Sequence, residues 1–302
     1  MIYARIGSGL GNQIYRYAFM RKLQLLTGMD VLIYKDFENA SQRHSLYQLD
    51  KYKLAERLRV VSANELDEKQ KEYIRKCYEQ RDKLKPNCAS SAQYLQARGM
   101  FFGLILIEPI KINKDAKDLL EDCLYLNHAV YDPIRSKLLE DFRFAGQLKD
   151  SNMLTMGQIM ETPNAVCVHV RRNDSVKHTS KNNWDCDYYR TAMNMMRKKY
   201  PDAVFFVFSN DIKFVKREKT FSNCIIVDNN DETEAAEEME LMRACRHFII
   251  PYSTFTFWAQ YLSESAGKTV IAPKYRSSER VNPLIMPEWK LLGKLVGKKI
   301  IY

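Results

Sequence analysis

Short apolar runs alternate along the chain with stretches in which apolar residues recur every three or four positions. Ile2-Tyr3-Ala4-Arg5-Ile6 predicts a strand. The glycine-rich Gly7-Ser8-Gly9-Leu10-Gly11-Asn12-Gln13 then turns it into a helix carried by Ile14, Tyr17, Ala18, Leu25 and Leu26 and ended at Gly28. Val31-Leu32-Ile33-Tyr34 is the next expected strand. Residues 62–84 are charged and helical in composition, and 94–107 carries the strongest apolar concentration of the first half, as expected of a strand or a buried core segment. Asp132-Pro133 reads as a helix start, with Asp as cap and Pro in the first turn.

After Pro163 the pattern becomes regular. Val166 to Val170 predicts a buried strand and 187–199 a helix bearing Tyr188, Ala192, Met195 and Met196. Val204 to Phe208 (strand), a short helix after Asp211 and Ile225-Ile226-Val227 (strand) follow. Asp231 to Glu234 resembles a capping box before a helix bearing Met239, Met242 and Cys245. Phe248 to Ile250, a helix from Phe255 to Leu262 and Thr269 to Ala272 complete the alternation. Repeated βα units of this kind predict an α/β fold with a doubly wound parallel sheet. At 302 residues two domains are favoured over one, and the polar stretch 146–162 is the expected junction, giving 1–155 and 156–302.

A net charge of +10 and a pI near 9.1 point to an anionic partner: a nucleotide, a nucleic acid or an acidic membrane surface. No zinc-finger, helix-turn-helix or RNP-like pattern supports nucleic acid. Seven scattered cysteines without a C-x-x-C pair fit a reducing compartment, and the five histidines form no metal motif. Without a basic leader or a long apolar span, a soluble cytoplasmic protein is expected.

In a parallel sheet, ligands bind where strands end, and three predicted strand ends carry polar clusters. These are His169-Val170-Arg171-Arg172-Asn173-Asp174, Ser209-Asn210-Asp211 and Pro251-Tyr252-Ser253-Thr254-Phe255. Arg171 or Arg172 offers a planar fork to a diphosphate, Ser253 and Thr254 at a helix start suit phosphate oxygens, and Asp211 could accept from a base amine. Each also has a plain reading: a solvated charged turn, an N-cap, a helix-starting Asp, a core Phe. Their coincidence on one rim favours a site. The first glycine loop is spaced G-x-G-x-G rather than G-x-G-x-x-G, which excludes the dinucleotide fingerprint but leaves a backbone able to approach an anion, with Asn12 and Gln13 as donors. Asp185-Cys186-Asp187 could hold a divalent cation, but two acids before Tyr188 more simply cap a helix, so no metal is expected.

Gly9-Leu10-Gly11-Asn12-Gln13-Ile14-Tyr15-Arg16-Tyr17-Ala18, His169 to Asp174, Phe208 to Asp211, Ile249 to Trp258 and Val270 to Lys274 resemble, in order, the motifs of bacterial α-1,2-fucosyltransferases, glycosyltransferase family 11. The resemblance implies a GT-B-like architecture of two Rossmann-like domains facing a cleft. It also implies inverting, metal-independent transfer of L-fucose from GDP-fucose to the 2-hydroxyl of a glycan residue, galactose being expected, with no cofactor. Carried over, Arg171 and Gly11 would meet the diphosphate, and Asn12 would lie near the reacting pyrophosphate. His169 and Asp174 would support Arg171 or face the sugar. Ser253, Thr254 and Phe255 would contact phosphate and nucleoside, and Asn210 or Asp211 would read guanine. Asp174, His169 and Asp36 are the base candidates, and the reaction could need none. Asn173, Ser175, Arg16 and Pro251-Tyr252 depart from the family pattern. The rival readings are a transferase for another nucleotide sugar and a nonenzymatic nucleic-acid or membrane binder. Lys294, Lys298 and Lys299 suggest peripheral contact with the inner membrane.

Overall fold

The computed structural model describes residues 1–35, 46–85, 88–103, 112–113, 115–172, 186–277, 280–296 and 299–302. The chain divides into two compact units, 1–145 and 146–302.

In the N-terminal unit, β1 Ile2–Ile6, β2 Val31–Lys35, β3 Leu58–Ser62, β4 Met100–Gly103 and β5 Leu119–Cys123 form a parallel sheet in the order β3-β2-β1-β5-β4. Its helices are α1 Leu10–Thr27, α2 Glu68–Asp82, α3 Ala89–Gln96 and α4 Arg135–Asp141. Gly28 ends α1 as expected, at φ 69°, where its N–H reaches the Gln24 carbonyl. The stretch 94–107 is not one strand. Ala92 and Leu95, three apart, bury one face of α3, and Gly99 at φ 77° then turns the chain into β4. A Cβ on Gly99 would lie 2.7 Å from Leu119, so the turn also requires glycine sterically. Asp132 and Pro133 lie in a short 3-10 turn that runs directly into α4, and the Asp132 carboxylate meets His128 Nδ1 at 3.0 Å.

The C-terminal unit contains α5 Asp150–Glu161, β6 Ala165–Val170, α6 Cys186–Lys199, β7 Val204–Ser209, α7 Ile212–Arg217, β8 Ile225–Ile226, α8 Ala235–Ala244, β9 His247–Ile249, α9 Thr254–Leu262 and β10 Val270–Pro273. Short strands follow: β11 Tyr275–Ser277, β12 Arg280–Val281, β13 Lys290–Leu292, β14 Lys294–Val296 and β15 Lys299–Ile301. Six strands form a parallel sheet in the order β13-β10-β9-β6-β7-β8. The expected junction is mostly helix, and the units divide at 145/146 rather than 155/156. The reason is that α5 belongs to the second unit: buried Asn152 donates to Asn230 (2.6 Å) and to Glu237 (2.7 Å) of the loop before α8 and of α8 itself.

Each sheet has a point where strand order reverses, between β1 and β5 in one and between β6 and β9 in the other. Adjacent loops leave in opposite directions there and open a crevice at the carboxyl ends. β6, buried at every position, is the centre of the second unit. Val166, Val168 and Val170 pack with Tyr188, Tyr189, Phe205 and Val207. Among the described residues no helix is long and apolar enough to cross a membrane.

Candidate functional site

Strand alternation assigns the two arginines that follow β6. Val166, Val168 and Val170 face α6, so Cys167 and His169 face the opposite side, towards α9. His169 is 3 % exposed, and its Nδ1 is hydrogen-bonded to the Thr256 hydroxyl of α9. Burial, helped by the Arg171 charge, lowers its pKa to about 3, so the ring is neutral. It braces β6 against α9. Arg171 continues the His169 side. Glu238 of α8 is pushed by burial to about 7, against the pull of the Arg171 guanidinium.

Arg172 goes the other way. Its guanidinium lies 3.9 Å from the centre of the Phe214 ring and 3.3 Å from Asp211 Oδ2. Its N–H donates to Asn210 Oδ1 at 2.8 Å, and the Asn210 amide donates back to its carbonyl at 2.6 Å. Asp211 also accepts the Phe214 N–H at 3.0 Å and so caps α7. The residues assigned by resemblance to guanine are thus engaged in tying the β6 and β7 loops together.

Beyond β9, Ser253 occupies the cap position of α9, yet its side chain makes no capping bond, and no acidic residue stands in the first turn. The amides at that end lack intrahelical partners and carry the positive end of the helix dipole. Phe255 in the same turn lies 6.0 Å from the His169 ring, so the start of α9 and the end of β6 are neighbours. The exposed Arg276 stacks over Tyr252 at 4.7 Å, adding positive charge beside Ser253. Ser253, Thr254, Phe255 and Arg171 are therefore brought to one rim; Asn210 and Asp211 sit on its flank.

The N-terminal rim is built around the turn from β1 into α1. Ser8 adopts φ 67°, and the Asn12 and Gln13 N–H groups both donate to the Gly9 carbonyl. Gly11 is buried inside α1 and Asn12 is half-buried. Gln13 does not offer its donors to a ligand: fully buried, it donates to the Ser8 and Leu46 carbonyls (2.8 and 2.7 Å) and accepts from Gln48 N–H (3.1 Å). Arg16, the departure from the family pattern, pairs with Asp122 at the end of β5. Burial alone would raise the Asp122 carboxyl, but Arg16, Arg5 and the Tyr78 hydroxyl hold it below the usual range.

Asp36, Asn173, Asp174, Ser175 and Asp185 lie outside the described residues. Asp187 stands in the first turn of α6 and pairs with Arg190. Among the described residues no three His, Cys, Asp or Glu side chains gather as metal ligands. The sequence reading missed Thr256, Glu238, Arg276 and Asp122. Thr256 and Asp122 had a signal, a buried-side hydroxyl in a largely apolar helix and an acid pair in a short apolar run; Glu238 and Arg276 had none.

A family model for glycosyl transferase family 11 matches residues 127–292, more than half of the chain. The O-antigen biosynthesis glycosyltransferase WbnK of Escherichia coli is 32 % identical over 139 residues, 43 % of this chain and 45 % of that one. Galactoside alpha-(1,2)-fucosyltransferase 2 of Bos taurus is 27 % identical over 55 % of this chain and 51 % of its own. This chain thus spans about half the length of these relatives. An alpha-1,2-colitosyltransferase of E. coli aligns over 90 % of this chain and 91 % of its own at 26 % identity. Among solved structures, fucosyltransferase NodZ from Bradyrhizobium superposes with a TM-score of 0.54 at 13 % identity, over 86 % of this chain and 92 % of that one. The fold is accordingly GT-B-like, and by its sequence the chain belongs to glycosyl transferase family 11.

Proposed function

We propose that this chain transfers L-fucose from GDP-fucose to the 2-hydroxyl of a galactose residue in a glycan, with inversion and without a metal. The observation that carries the proposal is the uncapped start of α9 next to the end of β6, the strand that Arg171 follows, at the strand-order reversal of the C-terminal sheet. A fixed guanidinium and a helix N-terminus converging on one rim suit a diphosphate. NodZ, which shares the fold, has been co-crystallised with GDP, and the Bos taurus relative is named for alpha-(1,2) fucosyl transfer to a galactoside.

In the reaction the acceptor O2 loses its proton and bonds the sugar C1 as the C1–O bond to the diphosphate breaks. Negative charge then builds on the leaving GDP. Arg171 and the α9 amides are aimed at that charge, the most effective place for preorganised donors. They supply the stabilisation for which other transferases use a cation. His169 and Thr256 hold β6 against α9 and so position both groups. Arg172, Asn210 and Asp211 fix the loop from which Arg171 projects. Asp174, three residues beyond Arg171 in the sequence, is the candidate acceptor of the hydroxyl proton.

Arg171→Ala is expected to lower kcat by about 10²–10³-fold with an unchanged melting curve, and activity should survive EDTA. Near-normal turnover in Arg171→Ala refutes the assignment. Calorimetric titration with GDP, UDP and ADP tests the nucleotide, GDP alone being expected to bind. The full-length alignment to a colitosyltransferase favours one second reading, a donor carrying colitose, which is L-fucose without its 3-hydroxyl. Competition between the two GDP-sugars for transfer decides between them.

A further inference from the structure

The C-terminal segment 290–302 holds four lysines, 290, 294, 298 and 299, and no acidic residue. β14 and β15 fold it into an antiparallel hairpin with Lys294 opposite Ile301, Leu295 opposite Ile300 and Val296 opposite Lys299. Residues opposite one another in such a pair share a face, and neighbours along a strand alternate. One face therefore takes Leu295 and Ile300, with Tyr302 next in the same alternation. The other takes Lys294, Val296 and Ile301.

The first face is anchored. The Tyr302 ring packs edge-on against Tyr188 of α6 at 5.3 Å, and Ile300 and Tyr302 close over Gly293, whose φ of 110° makes the turn from β13 into β14. On the second face Val296 is 51 % and Ile301 53 % exposed and Lys294 is exposed, and Leu295 on the first face is also 38 % exposed, so the anchoring rests on Ile300 and Tyr302. Beside it, β13 is the last strand of the six-stranded sheet and exposes Lys290 and Leu291. Lysines on an edge strand are a common guard against strand pairing. That role accounts for the lysines but not for branched aliphatics set between them on the outward face.

We infer that this hairpin face docks on an anionic lipid bilayer, with Val296 and Ile301 entering the headgroup boundary and the lysines reaching lipid phosphates. The pattern has what such a surface needs: exposed aliphatic side chains with lysines beside them and no acidic residue within the segment 290–302. The contact of Tyr302 with Tyr188 ties the hairpin to α6 of the C-terminal unit. The inference does not depend on the reaction assigned to the enzyme.

Co-sedimentation of the full chain with vesicles tests it, using phosphatidylcholine alone and phosphatidylcholine mixed with phosphatidylglycerol, at low and physiological salt. Binding is expected only to the mixed vesicles and should weaken with salt. Each lysine at such a surface contributes about fivefold to partitioning, so K290E/K294E should lower it more than about twentyfold. V296S/I301S keeps every charge and should lose about tenfold. Unchanged fluorescence and circular dichroism melting establishes that both variants fold. Absence of binding at low salt, or binding that neither variant reduces, overturns the inference. So does light scattering that shows the wild-type chain self-associating through this face and the variants monomeric, because the occupant would then be a second copy.

Discussion

Glu121→Gln should change how the stability of the N-terminal unit depends on pH. Glu121 lies in β5 at the middle of the sheet, paired with Ala4 of β1 and Phe101 of β4, and is fully buried. Burial pushes its pKa from 4.5 up to about 8, in spite of Arg16, so the folded protein keeps this carboxyl protonated at neutral pH. Below 4.5 both states hold the proton and no cost arises. As pH rises the unfolded state ionises first, and folding loses about 1.4 kcal/mol per pH unit until the folded carboxyl ionises too. From 4.5 to 7 the loss is about 3 kcal/mol, and beyond pH 8 about 5 kcal/mol. Gln, equal in size and uncharged, removes this dependence. The variant should gain on the wild type steadily from pH 5 to pH 8. Urea unfolding at several pH values measures it. Trp184, Trp258 and Trp289 all belong to the C-terminal unit, so fluorescence follows that unit while circular dichroism follows both. The gain must appear in circular dichroism and not in fluorescence. Parallel pH profiles for variant and wild type would refute the reasoning.

Gln13→Leu leaves two carbonyls and one N–H without their buried partner and should cost about 2–4 kcal/mol, read from the same circular dichroism transition. Thr256→Val removes the partner of His169 and should cost about 1–3 kcal/mol, with weaker GDP binding in calorimetry while tryptophan fluorescence still reports a folded C-terminal unit. Because the folded pKa of His169 is about 3 against 6.5 unfolded, the unfolded state takes up the proton first on acidification. The C-terminal unit should therefore lose stability as pH falls below 6.5, visible in fluorescence-monitored unfolding.

How much of this was legible in the sequence depended on how far each signal was local. Helix α1 with its Gly28 stop, strands β6 and β7 and the capping box at Asp231 follow from periodicity and single-residue conformational preference, which neighbours along the chain suffice to set. β3 and β5 escaped because Leu58–Ser62 carries a charge and Leu119–Cys123 two acids. An acid in a central strand becomes tolerable only through partners far along the chain, as Arg16 and Tyr78 are for Asp122.

The amino-acid sequence by itself determined the class of fold, the polar clusters at strand ends and the presence of two arginines after a buried strand. It could not rank those arginines. Only the tertiary structure decided that Arg172 turns to Phe214 and Asp211 whereas Arg171 shares the side of His169, Thr256 and Glu238. Alternation along a strand fixes that neighbours point to opposite faces, but which face meets α9 is set by the crossover order of a sheet assembled from residues 165–292. The same distinction separates Gln13, whose partners lie up to 35 residues away, from Asn12 beside it.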